Sequence, residues 1–294
     1  MLPHESRYFL VVAASAIAGA AVAWVPLTSA PVPFRETSSY PIWVILFAIT
    51  GAACPIVWIN GRKALDATPP SRSVVKEIIW YALFAAIAIA IFTVAAVAFF
   101  SHAAPISHVS PIALPFSKVR FSIIFLANAV AAAPSSIAMY RIGAACRNGT
   151  GCLKDLITWR TILQSQLTRL SALVIIGTLT TAALRKAVLA VGSARPSDFP
   201  AEYVLFFGAG LTILLFIIYV PSSQQLKRRA QEIVDNKFPV PSVLDNDWQE
   251  QMQRRHDLAA ILKIDETDRD LIQTALTIGG PLITTIISLL LPTS

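Results

Sequence analysis

The chain has 294 residues, 55% of them hydrophobic and only 14% charged, with a mean hydropathy of +0.63. Soluble domains carry ~25% charged residues, so this composition excludes a water-soluble enzyme or scaffold and points to a chain made for lipid. Its net charge of +7 fits basic loops held against anionic lipid and gives no reason to invoke nucleic acid.

Uncharged windows nominate the membrane spans in chain order. The first runs from about Tyr8 to Ala30, the second from Tyr40 to Asn60, the third from Ile78 to Phe100. The fourth is Phe121 to Tyr140, the fifth Leu170 to about Val191, the sixth Tyr203 to Val220, and a further membrane segment covers Leu271 to Leu291. No carboxylate occurs between Glu77 and Asp155, and no charge of either sign from Ile78 to Ser117. Trp and Tyr favour the water–lipid boundary, where the ring lies in lipid and its polar atom meets water. Tyr8, Trp24, Tyr40, Trp43, Trp58, Trp80, Tyr140, Trp159, Tyr203 and Tyr219 all stand near proposed span ends, whereas Trp248 does not. Tyr8 to Val25 is long for a signal-peptide core and more spans follow it, so it is expected to be retained. Its Ala14, Ala18 and Ala21, with Gly19, suit close helix contact.

The fold expected is all-α: a multi-pass helical membrane bundle of six transmembrane helices plus a C-terminal membrane segment. Three parts follow: a six-span bundle over 1–221, a cytoplasmic amphipathic helix pair over 222–269, and a transmembrane or re-entrant segment over 270–294. Placing the N-terminus, the second and fourth loops and the 222–269 stretch on one side collects seventeen Lys and Arg against six on the other, with Arg169 at the mouth of the fifth span in neither count. Basic excess marks the cytoplasm, so the N-terminus is expected inside a cell membrane. The Asn148-Gly-Thr150 sequon would then be cytoplasmic and unglycosylated.

After the sixth span Pro221 is expected to end the helix. Lys227, Arg228 and Arg229 follow as a cluster suited to lipid phosphates at the inner face. Leu226, Ala230, Ile233 and Val234 recur at helical spacing, and Pro239 and Pro241 stop that helix. A second helix starts near Asp247, where Asp247 and Glu250 have capping-box spacing. Trp248, Met252, Ala259 and Leu262 mark its apolar side, and Arg254, Arg255 and His256 its polar side. The pair is expected to lie on the bilayer or under the bundle.

Polar groups within the spans are few: Asn128, Ser135 and Ser136 beside Pro134, then Thr178, Thr180 and Thr181. Arg185 and Lys186 lie near the outer end of the fifth span and are expected to snorkel toward water. Gly279, Gly280 and Pro281 interrupt the C-terminal segment as a helix break or gate, with threonines on both sides to receive freed backbone groups.

No catalytic, cofactor or metal motif is present. No carboxylate lies central to any of the six spans, which weighs against a coupled carrier. Asp265, Glu266, Asp268 and Asp270 contain Arg269 and read as helix-start acids. His102 and His108 lack a third ligand, and Cys54, Cys146 and Cys152 match no metal spacing. The function expected is therefore a non-enzymatic membrane module, pore-like or responsive to a partner. The alternative is a transporter of a small neutral or anionic solute, and a membrane-embedded enzyme is disfavoured. Expected partners are anionic lipid at the inner face and a second copy or a cytoplasmic protein. No cofactor is expected.

Overall fold

The computed structural model describes residues 4–24, 36, 38–69, 79, 117–190, 201–239, 247–262, 274–280 and 283. These residues are helical wherever they are regular. The helices are α1 (His4–Trp24), α2 (Ser39–Asp66), α3 (Ser117–Arg147), α4 (Leu153–Ala190), α5 (Ala201–Lys237) and α6 (Trp248–Ile261). Residues 274–280 add two helical turns. Among the described residues three helices are long and apolar enough to cross a membrane: Ser39–Asp66, Leu153–Ala187 and Val204–Lys237. Apart from Ile79, the third span of the sequence reading lies outside the described residues, as do His102, His108 and the acidic run 265–270.

The packing order is α1 on α2, α2 on α3 and α4, and α5 on both α3 and α4. Small residues set the crossings. A Cβ added to Gly51 would lie 2.4 Å from the Ser15 carbonyl and 3.1 Å from Gly19 Cα, so α1 and α2 meet backbone to backbone. Lipid offers no hydrophobic drive between helices, so such close approach, which maximises dispersion contact, is the available adhesive. Small residues also line the α2–α3 crossing, where Gly61 faces Ser135, and the α3–α5 crossing, where Gly143 faces Ser222.

Pro221 does not end a helix. α5 runs from Ala201 to Lys237 with Pro221 inside it. A proline in a helix interior costs ~3 kcal/mol, but here both flanks are packed. Leu214, Leu215, Ile218 and Tyr219 are buried before it, and Leu226, Ala230 and Val234 after it. Burial on both sides keeps the two halves in one helix, overriding the local preference. At 1.5 Å per residue α5 is ~55 Å long, against ~30 Å of bilayer hydrocarbon. α4 is of similar length, 38 residues. Both therefore extend well beyond any membrane they cross.

Four aromatic residues read as boundary markers, Tyr40, Trp43, Trp159 and Tyr219, are core residues. Trp43 is buried and packs edge-on to Phe47, with ring centroids 5.5 Å apart. Trp159 is buried in the same cluster as Leu163, Leu226 and Val234. Trp58 remains substantially exposed. The Asp247–Glu250 capping box is not formed: the Asp247 side chain makes no cap hydrogen bond, and Glu250 pairs with Arg254 one turn on.

Candidate functional site

The outward surface of α5 changes character along its length. Its exposed positions are Phe206, Ile213 and Phe216, then Pro221, Gln224, Arg228, Glu232, Asp235, Asn236 and Lys237 among the described side chains. α2 behaves alike: Ile42, Ile45, Ile49 and Trp58 are exposed and apolar, Arg62, Lys63 and Asp66 exposed and charged. Rows of exposed large aliphatic and aromatic side chains on a helix are costly in water but fit acyl chains.

At the level of this change a buried polar junction ties three helices. Ser135 Oγ of α3 donates to Gln166 Oε1 of α4 at 2.9 Å, and Gln166 Nε2 donates to the Asn60 carbonyl of α2 at 3.4 Å. Asn60 Nδ2 in turn donates to the Ile56 carbonyl at 2.8 Å. Ser135 and Gln166 are almost wholly buried, where an unsatisfied amide costs several kcal/mol. The junction therefore fixes relative depth, placing residue 60 beside residue 166. Gln166 and Asn60 carried no sequence signal beyond being polar near span ends.

The other predicted intramembrane polar residues do not converge. The hydroxyls of Ser136, Thr178 and Thr181 donate to Ala132, Ile175 and Gly177 carbonyls of their own helices. Asn128 Oδ1 accepts from Cys54 Sγ at 3.8 Å, joining α3 to α2. Arg185 and Lys186 are half-buried near the far end of α4.

The Lys227-Arg228-Arg229 triplet is likewise divided, because successive helical residues point ~100° apart. Arg228 is exposed. Arg229 Nη2 donates to the Gly149 carbonyl at 2.6 Å, and its Nη1 pairs with Glu232 at 3.0 Å. Arg229 thus staples α5 to the α3–α4 connection, where Gly149 supplies a left-handed φ of 69°. Nearby, burial pushes the Cys146 thiol up to about 12; Arg229 opposes this and Glu232 adds to it. Lys227 instead lines a cavity of about 120 Å³ between α4 and α5, closed at one end by α6.

Arg160 of α4 lines the same cavity, and its Nη1 donates to the Leu262 carbonyl at 2.9 Å. A guanidinium at the C-terminal end of α6 suits the helix dipole. A second arginine fixes α6 to α5: Arg255 Nη1 donates to the Phe238 carbonyl at 2.7 Å, and the same guanidinium pairs with Asp235. Leu258 and Leu262 are the buried anchors of α6, while Trp248 and Met252 on the predicted apolar side stay substantially exposed.

In the C-terminal segment, Gly279 and Gly280 are helical and Pro281 lies outside the described residues. Spanning versus re-entry over 271–291 depends on residues that are largely outside the description. Ser171 Oγ of α4 donates to the Thr277 carbonyl. A Cβ on Gly280 would lie 3.2 Å from Ile175 Cδ1, so the glycine also allows close seating on α4.

Among the described residues no group of three or more His, Cys, Asp or Glu gathers at metal-binding distance. The fold defines an all-helical protein with helices able to cross a membrane. The chain matches no known protein family, no curated protein and no solved structure.

Proposed function

We propose that this is a multi-pass integral membrane protein of six spans and a C-terminal membrane segment, N-terminus inside the cell membrane, acting as a non-enzymatic, partner-responsive module. The observation that supports this reading best is the switch of the exposed face of α5, from Phe206, Ile213 and Phe216 to Gln224, Arg228, Glu232 and Asp235. On this reading Ala201–Val220 lies in lipid and the remainder of α5, with α6, lies in the cytoplasm, in keeping with seventeen basic residues on that side against six. The responsive element is α6. It is clipped to the bundle by Arg160 and Arg255 through backbone carbonyls and buries few apolar side chains, so a cytoplasmic partner can displace it at modest cost.

Single cysteines placed at Ser73 and Ser107, read with a membrane-impermeant maleimide on intact cells, test the orientation. Labelling from outside is expected at position 107 and only after permeabilisation at 73. The reverse pattern overturns the orientation, and labelling of both from one side overturns the number of spans between them.

A further inference from the structure

We propose that the seat of α6 on α4 and α5 is a docking groove for an amphipathic helix of another protein, and that α6 holds the groove closed when that helix is absent. The proposal deepens the reading of α6 as the responsive element and rests on it.

The way α6 binds defines what the groove accepts. Arg255, Leu258 and Leu262 stand at i, i+3 and i+7, on one side of the helix. Leu258 and Leu262 are the buried pair. Arg255 reaches Asp235 and the Phe238 carbonyl at the end of α5, and Arg160 of α4 donates to the Leu262 carbonyl. Neither clip depends on a feature peculiar to α6. A helix that ends beside Arg160 offers it a terminal carbonyl, and one with an arginine three residues before its first leucine meets Asp235 in the same register. The direction, charge and anchor positions of an incoming helix are thereby set, which is the ordinary pattern of a helix laid in a groove.

α6 fits this seat incompletely. An open cavity of about 120 Å³ remains between α4, α5 and the end of α6, with Ile157, Leu163 and Leu226 on its walls. Ile261 lines the cavity yet is 60% exposed, and Ile157 is 42% exposed. A helix with a bulkier apolar side chain in the place of Ile261 covers Ile157 and buries more surface than α6 does. This favours a different protein over a second copy of the chain. A second copy brings the same side chains as the resident α6. The resident is also held beside its seat at high effective concentration, by Phe238 before it and by Thr277, bonded to Ser171 of α4, after it.

The probe is a fluorescein-labelled peptide of residues 247–264, read by anisotropy against the full-length protein in neutral detergent. Two variants free the groove: Leu258→Asp puts a charge at the buried anchor, and Arg255→Ala removes the clip to α5. Thermal unfolding verifies that each is folded, and amide exchange over 250–261 reports whether α6 has left. The peptide should bind both variants at least about five-fold more tightly than the parent protein, in which α6 competes. Ile261→Phe in the peptide should tighten binding about three-fold, and Leu258→Asp with Leu262→Asp in the peptide should abolish it. A released α6 with no peptide bound, or equal binding of the doubly substituted peptide, overturns the groove and leaves the responsive reading standing. Exchange in α6 of the parent as slow as in α4 overturns that reading, whereas peptide binding to the Leu258→Asp variant keeps the groove. No gain from Ile261→Phe overturns the cavity as part of the seat. Dimers of the parent protein that Leu258→Asp abolishes assign the groove to a second copy instead.

Discussion

Replacing Gly51 by alanine adds one methyl group at the point where α1 and α2 touch. That Cβ would sit 2.4 Å from the Ser15 carbonyl oxygen and 3.1 Å from Gly19 Cα. Both neighbours are backbone, so neither can rotate aside, and the helices must separate by ~1 Å to reach ordinary contact. A radial gap of that size forfeits a quarter to a half of each dispersion contact along the seam, and overpacking of this kind costs about 1–3 kcal/mol. Alanine returns up to ~1 kcal/mol in helix propensity, so Gly51→Ala should destabilise the α1–α2 pair by roughly 1–2 kcal/mol. Gly177 of α4 supplies the control, since a Cβ there meets nothing within 4 Å. Gly177→Ala should be neutral or mildly stabilising. Thermal unfolding in lipid nanodiscs, with amide exchange across residues 12–22, reads both. Gly51→Ala should lower the transition and speed exchange in α1, and a Gly51→Ala protein as stable as Gly177→Ala would refute the backbone-contact argument.

Two other predictions concern the interior. Ser171→Ala should cost about 1 kcal/mol by removing its hydrogen bond to the Thr277 carbonyl. Thermal unfolding in nanodiscs reads the loss, and a transition unchanged from the parent protein would show that this bond contributes nothing. For the thiols, exposed Cys152 should react with maleimide at neutral pH. Cys146, buried and pushed up to about 12, should stay protonated and react only on unfolding, which mass spectrometry of labelled peptides would reveal. Prompt labelling of Cys146 in the folded protein would show that the α3–α5 seam opens.

The lipid-facing character of the chain was legible because it is written in composition and in runs of uncharged residues. What was hidden depends on which residues face one another. Pro221 looked like a terminus by local rules, yet burial of Ile218 before it and Leu226 after it keeps α5 continuous. Trp159 stood where a boundary aromatic belongs, but α4 continues past the lipid and the ring is needed in the core of that extension. Ser171, which donates to the Thr277 carbonyl, lies 106 residues away from it, beyond the reach of any local pattern. Arg160 and Lys227 come together only through the antiparallel register of α4 and α5, so neither loop charge counts nor helical spacing could have paired them.

The central claim is that α5 crosses lipid and then continues into water as one helix. Spin labels placed singly at its exposed positions 206, 213, 216, 224, 228, 232 and 235 test it most directly, by comparing collisions with oxygen and with a water-soluble nickel chelate in liposomes. The account predicts that oxygen dominates at the first three positions and nickel at the last four, with the crossover between 216 and 224. Lipid-like values continuing to position 235, or nickel access at 206, 213 and 216, would contradict it.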